Sequence, residues 1–498
     1  MLKARSSRLP FLMLAVFPAL PSALSSQVIP VKTVPVAAGH QFLLFPSDRL
    51  AMGEVSLALP DTVGGVFVNP ALGNRLSHGL AFSSPTYYGI SDEAGSGRTL
   101  PVGALFRSGR WFGGGSLALQ ELSGNKRGRW AALDLFSSAW PEPLSEGSSR
   151  NLYAYGVLGR RFPEKGISVG VSGFWADLNA MEGVSLLYAG SDQIRQSGTL
   201  SDLRLGLEKS WKGGSILELL LLKSRLRMRH DVSYLNWFWT PESPEWNEEG
   251  QWARTEVENL DHTDTWGIHL AYHRPLKTPG WQVAWSLTGN WKDHPKIPNY
   301  EIQNIPRDPG ETRAFGAGVG ISRIRGPLQL AMEAFLEPIH SDTWSVADSR
   351  IVTGDNRTIR EGEKVVENEF EFTNALVRMG GAWEKDWARL SAGLQIRSIS
   401  YELDQFDHVR NQRRTQDESW MEWTPSVGVS VRLAEASLSY TLLLTTGTGL
   451  PSVVWAPGAL LGPELDSSTS FLVAPSGPLS LQEVRVTSHQ LSIMIPMD

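Results

Sequence analysis

Two histidines four residues apart, His269 and His273, are the first candidates for chemistry in this chain. On a helix that spacing would place both rings on one face, as a metal site needs. On a strand they share a face but lie about 13 Å apart, too far for one ion. The paired carboxylates Glu333 and Glu337 meet the same limit. No Gly-x-Ser-x-Gly elbow, His-Glu-x-x-His or phosphate loop occurs, so neither an enzyme nor a metal site is expected. The arginines carry more information. Arg204, Arg378, Arg389, Arg397 and Arg432 each fall on the more polar side of an alternating segment. An enclosed arginine needs anionic partners, and Glu208 and Glu333 sit on the same sides. One reading is a structural charge network. The other is that one or two of these arginines, Arg204, Arg378 or Arg397, hold the carboxylate of an amphipathic molecule. An aromatic run at Trp237, Phe238 and Trp239 would line an apolar pocket for such a molecule.

The segments carrying these residues alternate with period two. Trp281, Val283, Trp285, Leu287 and Trp291 oppose Gln282, Ala284, Ser286, Thr288 and Asn290. Leu328, Leu330, Met332 and Leu336 oppose Gln329, Glu333 and Glu337. Leu203, Leu205 and Leu207 oppose Asp202, Arg204 and Glu208, and the pattern recurs around Leu390–Ile396 and Val427–Leu433. Half-buried strands read this way. The segments exceed the usual ~5–6 residues of soluble strands, and Trp266, Trp281, Trp291, Trp383, Trp387 and Tyr401 stand at their ends. A bilayer places its aromatic girdles there. About sixteen such strands fit between 78–88 and 482–495. Short turns near 108–110, 163–165, 212, 275–279, 325, 385–386 and 434 alternate with long polar connections near 122–149, 178–198, 228–263, 292–311, 338–371, 403–420 and 447–481. Short periplasmic turns and longer extracellular loops belong to outer-membrane barrels.

Composition agrees. The chain has 498 residues, no cysteine and 19 tryptophans, and its net charge of -6 leaves no basic footprint for nucleic acid. The absence of cysteine removes disulfides, thiolate metal sites and cysteine nucleophiles. Beyond the N-terminus no apolar run reaches the ~18 residues of a membrane helix. Lys3, Arg5 and Arg8 precede an apolar run from Leu9 to Leu20, and Ala23-Leu24-Ser25 supplies small residues. Residues 1–25 therefore read as an export signal.

Between signal and first strand, Leu50 to Arg75 contains Met52-Gly53, Leu57-Ala58, Asp61 and Asn69-Pro70-Ala71. This segment resembles the start of the long-chain fatty acid transporter (FadL)-like family of outer-membrane barrels and its PorV/PorQ-like relatives. The resemblance implies an all-β transmembrane antiparallel barrel, with fourteen strands as the alternative to sixteen. It implies that residues 26–75 form an N-terminal luminal plug or hatch, with Asp61, Gly64, Gly65, Asn69 and Pro70 as its marker residues, and that 76–498 form the barrel. Asn-Pro initiates turns, and Gly64-Gly65 permits close backbone approach. A monomeric barrel in outer-membrane lipid of a Gram-negative-type bacterium is then expected, without a cofactor. It would pass hydrophobic or amphipathic small molecules such as fatty acids. The PorV-like alternative is a scaffold that binds exported proteins of a secretion system.

Overall fold

Alternation of apolar and polar residues is satisfied in a bilayer when a sheet closes on itself, apolar face outward. The computed structural model describes residues 32–33, 35–92, 94–124, 149–182, 184, 193–239, 250–294, 310–347, 349–451 and 481–497. The expected export signal lies outside them. Nineteen strands follow in chain order: β1 (Gly79–Ser83), β2 (Thr86–Ile90), β3 (Gly95–Ser108), β4 (Trp111–Ser123), β5 (Ser149–Phe162), β6 (Ile167–Leu178), β7 (Gln193–Ser210), β8 (Ile216–Trp239), β9 (Gly250–Pro275), β10 (Trp281–His294), β11 (Gly310–Arg325), β12 (Leu328–Val346), β13 (Ile351–Val352), β14 (Thr358–Ile359), β15 (Lys364–Lys385), β16 (Ala388–Asp407), β17 (Gln412–Arg432), β18 (Ser437–Pro451) and β19 (Leu481–Met497).

Strands β13 and β14 form a small hairpin of their own, and the other seventeen make one antiparallel sheet. Both β1 and β2 pair with β19 on one side and β3 on the other, so together they are one stave. The stave breaks at Ser84-Pro85, where proline has no N–H to give the ladder. Counted by staves the wall has sixteen strands. The pairing of Gly79–Ser83 with Ile493–Met497 closes the sheet and leaves no free edge.

The two faces are those read from the sequence. On β10, Leu287 is 60% exposed and its neighbour Thr288 only 4%. Trp281 and Trp291 stand ten residues apart on the outward face. That is about 34 Å along the strand, or about 25 Å of height at ordinary barrel tilt, the thickness of the apolar band. Trp291 registers with Trp266 on β9, which makes part of the upper girdle. At the turn end Arg160, Lys209 and Arg323 lie over Trp111, Trp211 and Trp281, the stacking expected where basic side chains reach toward headgroups. A closed antiparallel sheet with this belt is an outer-membrane barrel, located in the outer membrane of a Gram-negative-type bacterium.

Several connections are shorter than the sequence suggested. Stretches within 228–263, 338–371 and 403–420 are strand, because β8, β9, β12, β15, β16 and β17 run well past the belt. Residues 408–411 form a tight turn, so the alternation of short and long connections fails there. Beyond the belt both faces meet water. The apolar marking of the outward face therefore stops while backbone pairing continues.

Residues 35–76 take no place in the wall, apart from one bridge between Val36 and Gly449. Their upper part packs with wall residues near the strand extensions, such as Ala37 with Leu450 and Val484. Phe42 and Leu44 then join Leu178, Leu200 and Met228. Residues 50–75 meet inward-facing residues of β6, β7, β11, β12, β15, β16 and β17, always within a few residues of the short turns.

Candidate functional site

The site is built from this segment and the wall around it. Its local folding is set by side chains that replace missing backbone partners. The Asp61 carboxylate accepts from the Val63 and Gly64 amides (3.0 and 2.8 Å), opening the short helix α1 (Gly64–Val68). It also accepts from Ser47 Oγ (2.6 Å) and the Asp48 amide (3.0 Å), which ties the approaching chain to the helix start. A Cβ on Gly64 would press on that carboxylate. Asn69 Oδ1 accepts from the Ala71 amide (3.1 Å) and opens a 3-10 turn over Pro70–Arg75, with Pro70 in its first position.

Two pairs of wall glycines receive this segment. Gly170 on β6 and Gly206 on β7 are register partners. A Cβ on Gly170 would overlap the Pro70 carbonyl, and one on Gly206 would overlap Asn69 Oδ1. Gly380 on β15 and Gly393 on β16 are also register partners. There a Cβ would overlap the Met52 carbonyl or the Gly53 nitrogen. Both motifs of the segment, Met52-Gly53 and Asn69-Pro70, thus lie against bare wall backbone.

The inward arginines are engaged by the protein. Arg204 makes a bidentate pair with Asp202 (3.0 Å to each oxygen) and donates to the Phe67 and Val68 carbonyls (3.1 and 2.9 Å) at the end of α1. Arg378 reaches the Glu54 carboxylate (3.2 Å) and Gln395 (3.0 Å). Arg397 pairs with buried Glu337 at 2.6 Å. Arg389 contacts the Met52 sulfur (3.1 Å). Arg432 is exposed at the turn end and pairs with Glu384. The partners expected from sequence, Glu208 and Glu333, are taken by the N-terminal segment instead. Glu208 holds Arg75 (2.8 Å) and Asn74 (3.0 Å), and Glu333 accepts from the Leu57 and Ala58 amides. Spacing explains the exchange. Arg204 and Glu208 are about 13 Å apart along a strand, whereas Asp202 is about 7 Å away.

Between segment and wall lies a cavity of about 350 Å³, at the lower end of the ~300–1,000 Å³ range of small-ligand sites. Phe42, Phe45, Phe67, Leu72, Tyr155, Phe174, Phe335 and Leu376 give it apolar walls. Asp61, Gly64, Gly65, Asn69, Arg204 and Arg378 line it. Pro70 packs behind it on Gly170, and Arg397 stands behind Glu337. Trp237, Phe238 and Trp239 are not brought there. Their backbone ends β8, with Trp237 opposite Trp252, about 60 Å along the strand from the lining residue Glu218; their side chains lie outside the described residues.

Sequence reasoning missed Arg75, Glu218 and Glu182. Glu218 binds Arg75 (2.6 Å) and lies 3.1 Å from His273 Nε2. Its signal was available: a lone acid in Ile216-Leu217-Glu218-Leu219-Leu220-Leu221-Leu222 has to face the lumen. Glu182 follows β6, outside the wall. Its carboxylate accepts from the Gly39 amide, and its own N–H donates to Gln41 Oε1 (2.9 Å). Burial pushes this carboxyl up to about 7, against the hydrogen bonds from Gly39 and Gln41 and the field of Lys32. Gln41 in turn reaches Tyr153 and the Ala180 carbonyl (3.2 Å each). Among the described residues, His340, Asp342 and Glu369 bring ligand atoms within 4.8 Å. They lie on β12 and β15, outside the cavity lining, and His340 is already paired with Asp342 and Glu371.

No protein-family model matches the chain, and no curated protein matches it. Solved structures similar to it include a FadL homologue of Pseudomonas aeruginosa, at 12% identity and a TM-score of 0.43, covering 93% of this chain and 100% of that one. The CymD monoaromatic hydrocarbon channel matches at 10% identity and 0.41, over 92% and 99%. The Pseudomonas putida toluene transporter TodX matches at 9% and 0.38, over 90% and 96%. At such scores the barrel rests on its own strand pairing, and the site on its own residues.

Proposed function

We propose that this barrel passes hydrophobic or amphipathic small molecules across the outer membrane, with residues 35–76 as its luminal plug. The observation that carries the reading is the largely apolar cavity between that segment and the wall. A purely structural barrel has no need of such a space, and close packing would fill it. The plug reading draws on the ring of contacts that residues 50–75 make with wall strands near the short turns. In it, Asp61, Gly64 and Gly65 shape the cavity's inner lip, while Asn69 and Pro70 seat the segment. Arg204, Arg378 and Arg397 act mainly as structural cations, since each already has its anion. Trp237, Phe238 and Trp239 would act at the outer rim, where a molecule first meets the protein. The exported-protein alternative has no observation of its own in the described residues.

The test is extraction of hydrophobes from the purified barrel, read by mass spectrometry, beside a Leu376→Trp variant that fills part of the cavity. A small apolar molecule present in the native protein and lost from the variant is the expected result. A native barrel that carries nothing, and takes up no added hydrophobe, overturns the reading. Equal retention by the variant would move the molecule to another site.

A further inference from the structure

We infer that the outer surface at the short-turn ends of β7 to β12 docks the headgroup of an anionic phospholipid, a phosphate diester of the phosphatidylglycerol type, in the leaflet that faces the periplasm. This patch lies on the lipid side of the wall, and its role is independent of the cavity.

Charge there is of one sign. Residues 209–217, 272–283 and 319–330 cover three consecutive short turns with their strand ends. They hold Lys209, Lys212, Arg274, Lys277, Arg323 and Arg325, and no Asp or Glu. Among the described residues none of these six cations forms an ion pair. The nearest acids along the strands, Glu208 and Glu218, are buried on the luminal side and hold Arg75. The patch is local. In the next two short turns along the wall Lys385 and Arg432 stand with Glu384, Asp386 and Glu435, and Arg432 is paired with Glu384. On the β6 side Glu164 enters, paired with Arg110. In a chain whose net charge is -6, six unopposed cations repel one another unless an anion settles among them.

Height selects the anion. The three turns touch: Gly214 lies against Pro275, and the Ile324 amide donates to the Gly280 carbonyl (2.8 Å). Lys209 lies over Trp211, whose ring meets Tyr272, and Arg323 lies over Trp281. Arg323 is the register partner of Trp281, and Arg274 is its diagonal neighbour on β9, at about 7–8 Å between backbones. These rings mark the lower edge of the apolar band, so the cations beside and below them stand at the level of lipid phosphates. The free oxygens of a phosphate diester suit the guanidinium fork. A zwitterionic headgroup brings an ammonium of its own, which the patch repels, so preference falls to a lipid with net negative charge.

The test is native mass spectrometry of the full barrel in detergent, which resolves the binding of a first lipid. Phosphatidylglycerol and phosphatidylethanolamine with the same acyl chains are compared. Each basic residue at an anionic headgroup is worth about fivefold, so contact with two gives a preference of about 20- to 30-fold for phosphatidylglycerol. The fourfold variant Lys212→Gln, Lys277→Gln, Arg323→Gln, Arg325→Gln should bring the preference close to one. Lys212→Gln with Lys277→Gln, both in turns beyond the strand ends, should lower it about fivefold and serves as the test if the fourfold variant does not fold. Lys385→Gln with Arg432→Gln removes the same charge from the neighbouring turns and should leave the preference in place. Equal binding of the two lipids to the native barrel overturns the inference. So does a preference that survives the fourfold change. A loss as large with Lys385 and Arg432 as with Lys212 and Lys277 overturns it too, since net charge and not this patch would then be at work.

Discussion

Glu182 makes the contact of its connection with the N-terminal segment sensitive to pH, and the effect can be worked out. The carboxyl sits at about 7 in the closed arrangement against an ordinary 4.5. The closed form therefore binds the proton more tightly than the open one. Closure is at full strength below about 4.5, weakens about tenfold per pH unit as pH rises, and levels off above about 7. At 1.36 kcal/mol per unit the window is worth about 3 kcal/mol as an upper figure, since the residue keeps some exposure. His40 also lies in this segment, held below its ordinary 6.5 by burial. Replacing Glu182 by Gln removes one titration and leaves the other. The assay is hydrogen exchange by mass spectrometry on peptides spanning 37–45 and 176–184, corrected for intrinsic rates, in steps from pH 5 to 8. Between about pH 6.5 and 8, where His40 is neutral in both forms, protection in both peptides should fall a few-fold, and below 6.5 the opposite titration of His40 offsets the carboxyl's slope. Glu182→Gln, whose amide can keep the place of the protonated acid, should lose the fall above pH 6.5 and keep only the His40 dependence, protection rising with pH up to about 6.5. Flat protection in the native barrel would refute the reasoning. So would a fall above pH 6.5 that survives in Glu182→Gln, since the group titrating there would then be another one.

The glycine pairs give the next prediction: Gly393→Ala or Gly206→Ala should unseat the N-terminal segment and raise ion conductance in planar bilayers. Gly156→Ala and Gly173→Ala, a register pair with open space at both Cβ positions, should leave conductance unchanged. Arg204→Met strands the Asp202 carboxylate and two carbonyls at the end of α1, a local loss of about 3–5 kcal/mol; limited proteolysis of the folded barrel should cut within 60–76. Leu287→Arg on the lipid face should cost about 2–4 kcal/mol in folding titrations into vesicles. The same change at exposed Val352, on the hairpin beyond the belt, should cost little.

The parts of this molecule legible in its sequence are those where lipid imposes a rule on every second residue. Trp281, Trp285 and Leu287 face outward because their neighbours cannot, and sixteen staves follow from counting such runs. The extensions were illegible for the converse reason. At Gln412–Glu418 both faces are polar, and at Lys364–Glu371 the outward side carries Glu367, Glu369 and Glu371 with Val366 and Phe370 buried inside, so no outward apolar run marks either strand. Arginine pairing was half legible. That Arg204 and Arg397 face inward followed from period two. Which anion each meets depends on two-residue neighbours such as Asp202 and on cross-strand reach to Glu337, neither of which alternation reports. The aromatic run at 237–239 looked like a pocket because composition carries no height along a strand.

The seat of the N-terminal segment shows why its partner residues could not be read at all. Glycine in a strand interior weakens the strand, and two in register weaken it further. On the lipid face such a pair can be tolerated as empty space, as at Gly156 and Gly173. On the luminal face at Gly170/Gly206 and Gly380/Gly393 the space is filled by another backbone: Asn69-Pro70 in one case, Met52-Gly53 in the other. Backbone against backbone leaves no side-chain complementarity to search for, only the absence of a Cβ. It also fixes position tightly, because a Cβ at any of the four glycines would land on a main-chain atom, Pro70, Met52 or Gly53, or on the Asn69 amide oxygen that holds the turn. The two seats lie on separate parts of the wall, joined by a segment whose Asp61, Leu57 and Ala58 are themselves hydrogen-bonded in place. A segment held at two distant points and along its middle has little freedom to swing as a hinged lid. On the proposed function, passage past it would proceed by small local shifts of the stretch between the seats, around Gly64 and Gly65, where α1 borders the cavity.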